Sequence, residues 1–183
     1  IGPDVMTHRP LRTTDAQPGG PSPGLPTQSE QTDLLQALYG RNGESPAVVL
    51  AASTPSNCFD MAFQAAKIAL EHMTPVILLT DAFIANGSSA WRIPDMNEYP
   101  DIKPNYVKPE MLAEGWKPYK RDPETHVRYW AIPGTDGFMH RLGGLEQDTA
   151  TSPIPTDPTH HPPQPALPPA TTHPHTTRTP PPP

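Results

Sequence analysis

Apolar residues are distributed unevenly along the chain, and two uninterrupted runs stand out: AVVLAA (residues 47–52) and VILLT (residues 76–80). Neither alternates polar with apolar positions, which is the pattern of a strand covered on both faces, as in parallel sheets. The stretch between them has a different period. Phe59, Phe63, Ala66, Leu70 and Met73 recur at spacings of three or four, which places them on one face of a helix. Thr54 and Pro55 suit its start, as N-cap and first helical residue, and Thr74-Pro75 suits its end. Strand, helix and strand within about 35 residues predict a βαβ unit, whose crossover is right-handed almost without exception. A shorter helix is predicted over QTDLLQALY (residues 31–39), closed by Gly40 and the turn RNGES.

Beyond Asp81 the periodicity weakens. FIANGSSAW (residues 83–91) reads as loop or short helix. Residues 91–123 read as an extended arm packed through Trp91, Tyr99, Tyr106, Trp116 and Tyr119. VRYWAI (residues 127–132) is a candidate for one more strand, and IPGTDGFMHRLGG (residues 132–144) is a glycine-rich loop. The expected organisation is an irregular start over residues 1–30, a partial α/β domain over 31–95, a connector arm with its loop over 96–148, and a tail over 149–183.

Composition sharpens that division. Hydrophobic residues are 34% of the 183, below the usual ~45–50%. Of the 29 prolines, thirteen lie after residue 150. A Pro/Thr/His tail of this kind cannot bury a core and is expected to be disordered or polyproline-like. The formal charge of −6, without a basic patch, argues against a nucleic-acid partner. A single cysteine, Cys58, excludes an internal disulfide and fits a cytoplasmic protein. No apolar run is long enough to span a membrane. The chain begins at Ile1, which predicts a piece of a longer protein.

Candidate chemistry centres on DAQPGGPSPGLPTQSEQ (residues 15–31), a glycine- and proline-rich loop ahead of the first predicted helix. Glycines allow close backbone approach to a ligand, backbone N–H groups at a helix start favour an anion, and Ser22 adds a hydroxyl. A plain tight connection has the same composition. Asp81 ends the second predicted strand, where α/β sheets place ligand sites; Asn86, Ser88 and Ser89 follow it, and a helix cap is the alternative role. Asn42 and Glu44 sit on a turn that is either cleft-facing or solvated. Cys58 has no neighbouring base and reads as packing. His140 and Arg141, in the glycine-rich loop, read as structural or as a subunit contact. The irregular spacing of the tail histidines gives no metal motif.

DAQPGGPSPGLPTQSEQTDLLQALYGRNGESPAVVLAAST resembles the alpha subunit of 2-oxoacid:ferredoxin oxidoreductases, particularly the 2-oxoglutarate type. The resemblance continues through FDMAFQAAKIALEHMTPVILLTDAFIANGSSAWRIPD and KPYKRDPETHVRYWAIPGTDGFMHRLGGLEQD. It implies an α/β fold with a parallel sheet of the thiamine-diphosphate-binding, pyrimidine-domain kind, present only in part. It also implies oxidative decarboxylation of a 2-oxoacid to its acyl-CoA, with electrons passing to ferredoxin. Thiamine diphosphate and Mg²⁺ would be shared with a beta subunit, and the iron–sulfur cluster and coenzyme A would belong to the complex. Pyruvate or branched-chain 2-oxoacids are alternative substrates, and a catalytically dead copy or interaction fragment with a proline-rich tail is a reading from another class. In relatives the loop reads Gln-Arg-Gly-Gly-Pro-Ser-Thr-Gly, so the resemblance places Pro18, Gly19, Gly20, Ser22 and Pro23 at the substrate carboxylate. Pro18 stands where an arginine is expected and Pro23 where a threonine is expected. The resemblance assigns no catalytic residue to this chain; Asn42, Glu44 and Asp81 are its cofactor-side candidates.

Overall fold

The computed structural model describes residues 10–17, 32–42 and 45–143. In chain order these form β1 (Leu11–Gln17), α1 (Leu34–Tyr39), β2 (Val48–Ala51), α2 (Cys58–His72), β3 (Pro75–Asp81), α3 (Ala82–Asn86) and α4 (Glu110–Ala113), with a single 3₁₀ turn at Met96–Glu98. The three strands make a parallel sheet in the order β1-β3-β2. β1 pairs with β3 from Leu11↔Pro75 to Gln17↔Asp81, and β2 pairs with it from Val48↔Val76 to Ala51↔Leu79.

β3 is central, and all of it except Thr80 is buried. Its successive side chains point to opposite faces, and each face meets a different helix. Val76, with Val48 and Leu50, packs under Ala65, Ile68 and Ala69 of α2. Ile77 and Leu79, with Val49, pack against Leu34 and Ala37 of α1. The result is a helix–sheet–helix sandwich, in which each fully buried aliphatic side chain is worth about 1.5–3 kcal/mol. Pro75 lacks an amide hydrogen and occupies the first position of its strand, the one a sheet tolerates.

Several sequence expectations are corrected here. Residues 1–30 are not irregular throughout, because β1 lies among them. Its sequence LRTTDAQ carries too little hydrophobicity to announce a strand; Leu11, Thr13 and Asp15 are half-buried while Arg12, Thr14 and Ala16 are exposed. β2 is an edge strand, partly buried rather than covered on both faces. Residues 54–57 form a tight turn before α2, which has Asn57 at its N-cap and starts at Cys58. The side of α2 that meets the sheet is Ala65, Ile68 and Ala69, a second apolar face that the sequence pattern did not single out. Phe59 and Phe63 instead meet the arm, with ring centroids 5.6 Å (Phe59–Trp91), 5.7 Å (Phe59–Tyr99) and 4.8 Å (Phe63–Tyr99) apart. VRYWAI makes no ladder strand; it contributes only two isolated bridges, Tyr106↔Trp130 and Arg121↔Arg128.

The arm is tied to α2 by polar contacts as well. Tyr99 Oη donates to Asp60 Oδ1. The Lys103 amide donates to Glu71 Oε1 at 2.9 Å, the carboxylate that also pairs with Lys67. Past residue 104 the chain folds on itself around buried Tyr119, Val127, Arg128, Ala131 and Phe138.

Candidate functional site

In a parallel sheet the carboxyl ends of all strands lie on one edge, where ligands bind. Here the register brings Gln17 level with Asp81, and Ala51 level with Leu79. Two described segments leave this edge, residues 52–57 after β2 and residues 82–87 after β3.

The first is a hydroxyl-rich turn. Ala52 N donates to Leu79 O at 3.1 Å, holding the turn to the central strand. Ser53 donates to Asn57 Oδ1 through its amide at 3.3 Å and its hydroxyl at 3.4 Å. The Asn57 amide reaches Thr54 Oγ1 at 3.2 Å, and the Thr54 and Ser56 hydroxyls share a hydrogen bond at 3.1 Å. Ser53 and Thr54 are exposed. The turn therefore presents hydroxyls to solvent while its backbone is held from inside.

The second segment begins at Asp81, which is 4% exposed. Its Oδ1 accepts from Ile84 N at 2.6 Å, so the carboxylate caps α3 and ends the strand at once. Asn86 donates to Ala82 O at 2.9 Å, while Ser88 and Ser89 are exposed. At Gly87 an added Cβ would lie 2.5 Å from Phe83 O of its own segment, which leaves no room for a side chain, and 3.5 Å from Pro55 Cγ, an ordinary contact with the other segment. Phe83 leaves half of its ring in solvent. Cys58 lies at the start of α2, with its thiol 3.6 Å from Thr54 O. Burial, and then the charge of Asp81, push its pKa up, which disfavours the thiolate that a nucleophile requires.

The other sequence candidates fall as follows. Pro18, Gly19, Gly20, Ser22, Pro23 and Glu44 lie outside the described residues; β1 ends at Gln17, level with Asp81. Asn42 is exposed, in the connection leading to the amino end of β2, and is not brought beside Asp81 by any described contact. His140 Nδ1 donates to the Phe138 carbonyl at 2.8 Å, and its ring packs edge-on against Trp116. Among the described residues no group of three His, Cys, Asp or Glu could hold a metal, and no helix is long and apolar enough to cross a membrane.

Two features were not read from the sequence. Ser53 and Thr54 as exposed edge hydroxyls were hidden behind the use of Thr54 as a helix cap. A cleft of about 400 Å³ between β1 and α1 is lined by Thr13, Asp15, Asp33, Gln36 and Arg41; burial first, and then Asp33, raise the Asp15 carboxyl. Its only sequence signal was a basic residue just past the helix-closing Gly40.

Comparison with known proteins extends this geometry. A protein-family model described as "Pyruvate flavodoxin/ferredoxin oxidoreductase, thiamine diP-bdg" matches residues 1–153. The chain is 55% identical over 161 residues to the 2-oxoglutarate oxidoreductase subunit KorA of Mycobacterium tuberculosis, covering 88% of this chain and 24% of that protein. It is 30% identical over 161 residues to the 2-oxoglutarate synthase subunit KorA of Methanothermobacter marburgensis, covering 88% and 41%. The chain thus spans about a quarter to two-fifths of these relatives. A solved structure of the 2-oxoglutarate:ferredoxin oxidoreductase from Magnetococcus marinus, with 2-oxoglutarate, coenzyme A and succinyl-CoA bound, superposes with a TM-score of 0.75 at 28% identity over 88% of this chain and 27% of that one. Parallel sheet, strand-end loops and sequence match agree: the chain belongs to the thiamine-diphosphate-binding domain family of the pyruvate flavodoxin/ferredoxin oxidoreductases.

Proposed function

We propose that this chain forms the aminopyrimidine-facing wall of a thiamine diphosphate site in the alpha subunit of a 2-oxoacid:ferredoxin oxidoreductase acting on 2-oxoglutarate. The observation that carries this reading is the 55% identity to the mycobacterial 2-oxoglutarate oxidoreductase subunit. The reaction is oxidative decarboxylation of the 2-oxoacid to its acyl-CoA, with electrons passing to ferredoxin. A beta subunit would hold the diphosphate, Mg²⁺ and the iron–sulfur cluster. The complex would act in the cytoplasm.

The residues at the carboxyl edge fit the cofactor in kind. A flat amino-substituted heterocycle needs hydrogen-bonding groups at its rim and an aromatic or apolar face. Ser53 and Thr54 offer exposed hydroxyls, and Phe83 offers an exposed ring on the abutting segment. Asp81 shapes this wall as a cap. When bound, thiamine diphosphate supplies the carbanion chemistry, and the protein orients the reactants and excludes water.

Gly19, Gly20 and Ser22 would cradle the substrate carboxylate through backbone N–H groups and a hydroxyl. Pro18 and Pro23 offer neither a charge nor an N–H donor. Loss of a charge-assisted contact to a buried anion costs roughly 2–5 kcal/mol. These two prolines favour a second reading, a non-catalytic copy.

The test uses a full-length alpha subunit containing this sequence, assembled with its beta subunit. Coenzyme A-dependent reduction of ferredoxin is followed with 2-oxoglutarate, pyruvate and a branched-chain 2-oxoacid. Pro18→Arg together with Pro23→Thr should raise kcat/KM on 2-oxoglutarate by at least about thirtyfold. Absence of turnover in both proteins, with assembly intact, establishes the non-catalytic reading; faster turnover of pyruvate overturns the substrate assignment.

A further inference from the structure

The folded segment after α4 contains a cleft of its own, of about 560 Å³, remote in sequence from the carboxyl edge of the sheet. Its lining is mainly apolar, including Ile132, Phe138 and Leu142, and Arg128 and His140 also contribute. This size and character are those of a small-ligand pocket. Met139, at its mouth, is 96% exposed.

Arg128 is the unusual member. It is 3% exposed, and its Nη1 donates to the Pro118 carbonyl at 3.4 Å. Its Nε has no hydrogen-bond partner among the described residues. A guanidinium carries five donors, and a buried charge without an anion is costly unless one arrives. The nearby acid does not serve: Asp122 is committed to the 124 and 125 amides and to Tyr129. Asp136, also in the lining, is exposed. Arg121 stands opposite Arg128 across an isolated bridge and adds like charge. Trp116, packed edge-on against Phe138 and His140 at 5.1 and 5.2 Å, holds a second buried donor, Nε1, without an acceptor. Among the described residues, buried Arg128 Nε and Trp116 Nε1 are thus donors without an acceptor.

We propose that this cleft binds a carboxylate on an apolar stem, with the Arg128 guanidinium pairing with the anion and Ile132, Phe138 and Leu142 covering the stem. Arginine suits a carboxylate because its planar fork of donors matches both oxygens. The carboxylate has two possible sources, a diffusible organic acid and an acidic side chain offered by another part of the assembly. The inference is independent of the thiamine diphosphate reading.

Benzoate and the isosteric, uncharged benzamide are the probes. Each is titrated into the chain while tryptophan fluorescence is followed, because Trp130 lines the cleft and Trp116 packs against two of its lining residues. Benzoate should saturate with an affinity at least about tenfold above that of benzamide. Arg128→Met should abolish the difference, and Arg128→Lys should restore part of it. Equal binding of the two probes by the unaltered chain overturns the proposal, and this comparison stands even if Arg128→Met fails to fold. A folded Arg128→Met variant that binds benzoate unchanged overturns it as well. Repeating the titration on the alpha–beta assembly identifies the source: retained binding supports a diffusible acid, and blocked binding supports a carboxylate supplied within the assembly.

Discussion

Asp122 holds the turn over residues 122–127 with a single side chain. Its Oδ1 accepts from the Glu124 and Thr125 amides at 3.0 and 2.9 Å and from the Thr125 hydroxyl at 3.1 Å, and its Oδ2 accepts from Tyr129 Oη at 2.7 Å. These bonds, the Thr125 amide foremost, push its pKa down to about 2. Folding therefore favours the ionised form. The contribution is complete above the unfolded carboxylate value of about 3.9 and is lost as pH falls towards the folded value. Asp122→Asn should cost about 1 kcal/mol at neutral pH, a figure reduced by the solvent around the site. In urea denaturation the difference from the parent should vanish near the acid limit; a constant difference would show that charge plays no part. Met73 poses an opposite balance. It ends α2 in the left-handed region, φ 51° and ψ 49°, a conformation that favours glycine. Its side chain is nevertheless fully buried. Met73→Gly would relieve about 1 kcal/mol of backbone strain and forfeit about 2–5 kcal/mol of packing. Net destabilisation is expected in thermal or urea melts.

At the scale of elements, α1 depends on a side chain beyond its own end. A helix of six residues is unstable alone. Arg41 folds back to donate to Ala37 O at 2.6 Å and Leu38 O at 2.8 Å, and reaches forward to Ser45 O at 2.6 Å. It satisfies carbonyls that the helix end leaves open and ties the helix to the connection into β2. Arg41→Met keeps the aliphatic stem but should cost about 1–2 kcal/mol, with faster hydrogen exchange at the Gly40 amide that closes the helix on Gln36. Arg41→Lys should not rescue it, because one ammonium cannot reach three diverging carbonyls. The elements that were legible in sequence are those with one dominant signal. AVVLAA and VILLT are apolar runs, and QTDLLQALY has a clear helical period. β1 was illegible because, as an edge strand, its burial falls partly on Thr13 and Asp15. The apolar face of α2 was legible, but the sheet-facing side was not, because that helix is apolar on two sides. The sheet takes the small residues Ala65 and Ala69, and the arm takes the large ring residues that dominate the sequence pattern. Around the candidate site, the position of Asp81 at a strand end and its role as a helix cap were legible, whereas the edge hydroxyls depended on a turn whose geometry the sequence did not reveal.

The whole molecule is organised around α2, which is pressed against the sheet on one side and strapped by residues 91–103 on the other. The strap combines Trp91 and Tyr99 rings with the bonds from Tyr99 to Asp60 and from Lys103 to Glu71. The strand order has a further consequence, for the sequence of events in folding. Among the described residues β1 and β2 do not pair with each other, and each pairs with β3, the last of the three to be synthesised. A nascent chain that stops before Pro75 therefore holds two strands with nothing to pair with. The β2–β3 partners Val48 and Val76 are 28 residues apart, and the β1–β3 partners Leu11 and Pro75 are 64 apart (76 − 48 and 75 − 11). Closing the longer loop carries the larger entropic cost, so the βαβ unit should assemble first and β1 should dock last. In pulse-labelling hydrogen exchange, amides in the β2–β3 ladder should gain protection before those in the β1–β3 ladder. The strand that leads into the proposed substrate loop would then be the last to find its place, and a ribosome would release the amino-terminal edge strand of this sheet for pairing only after its centre had been made.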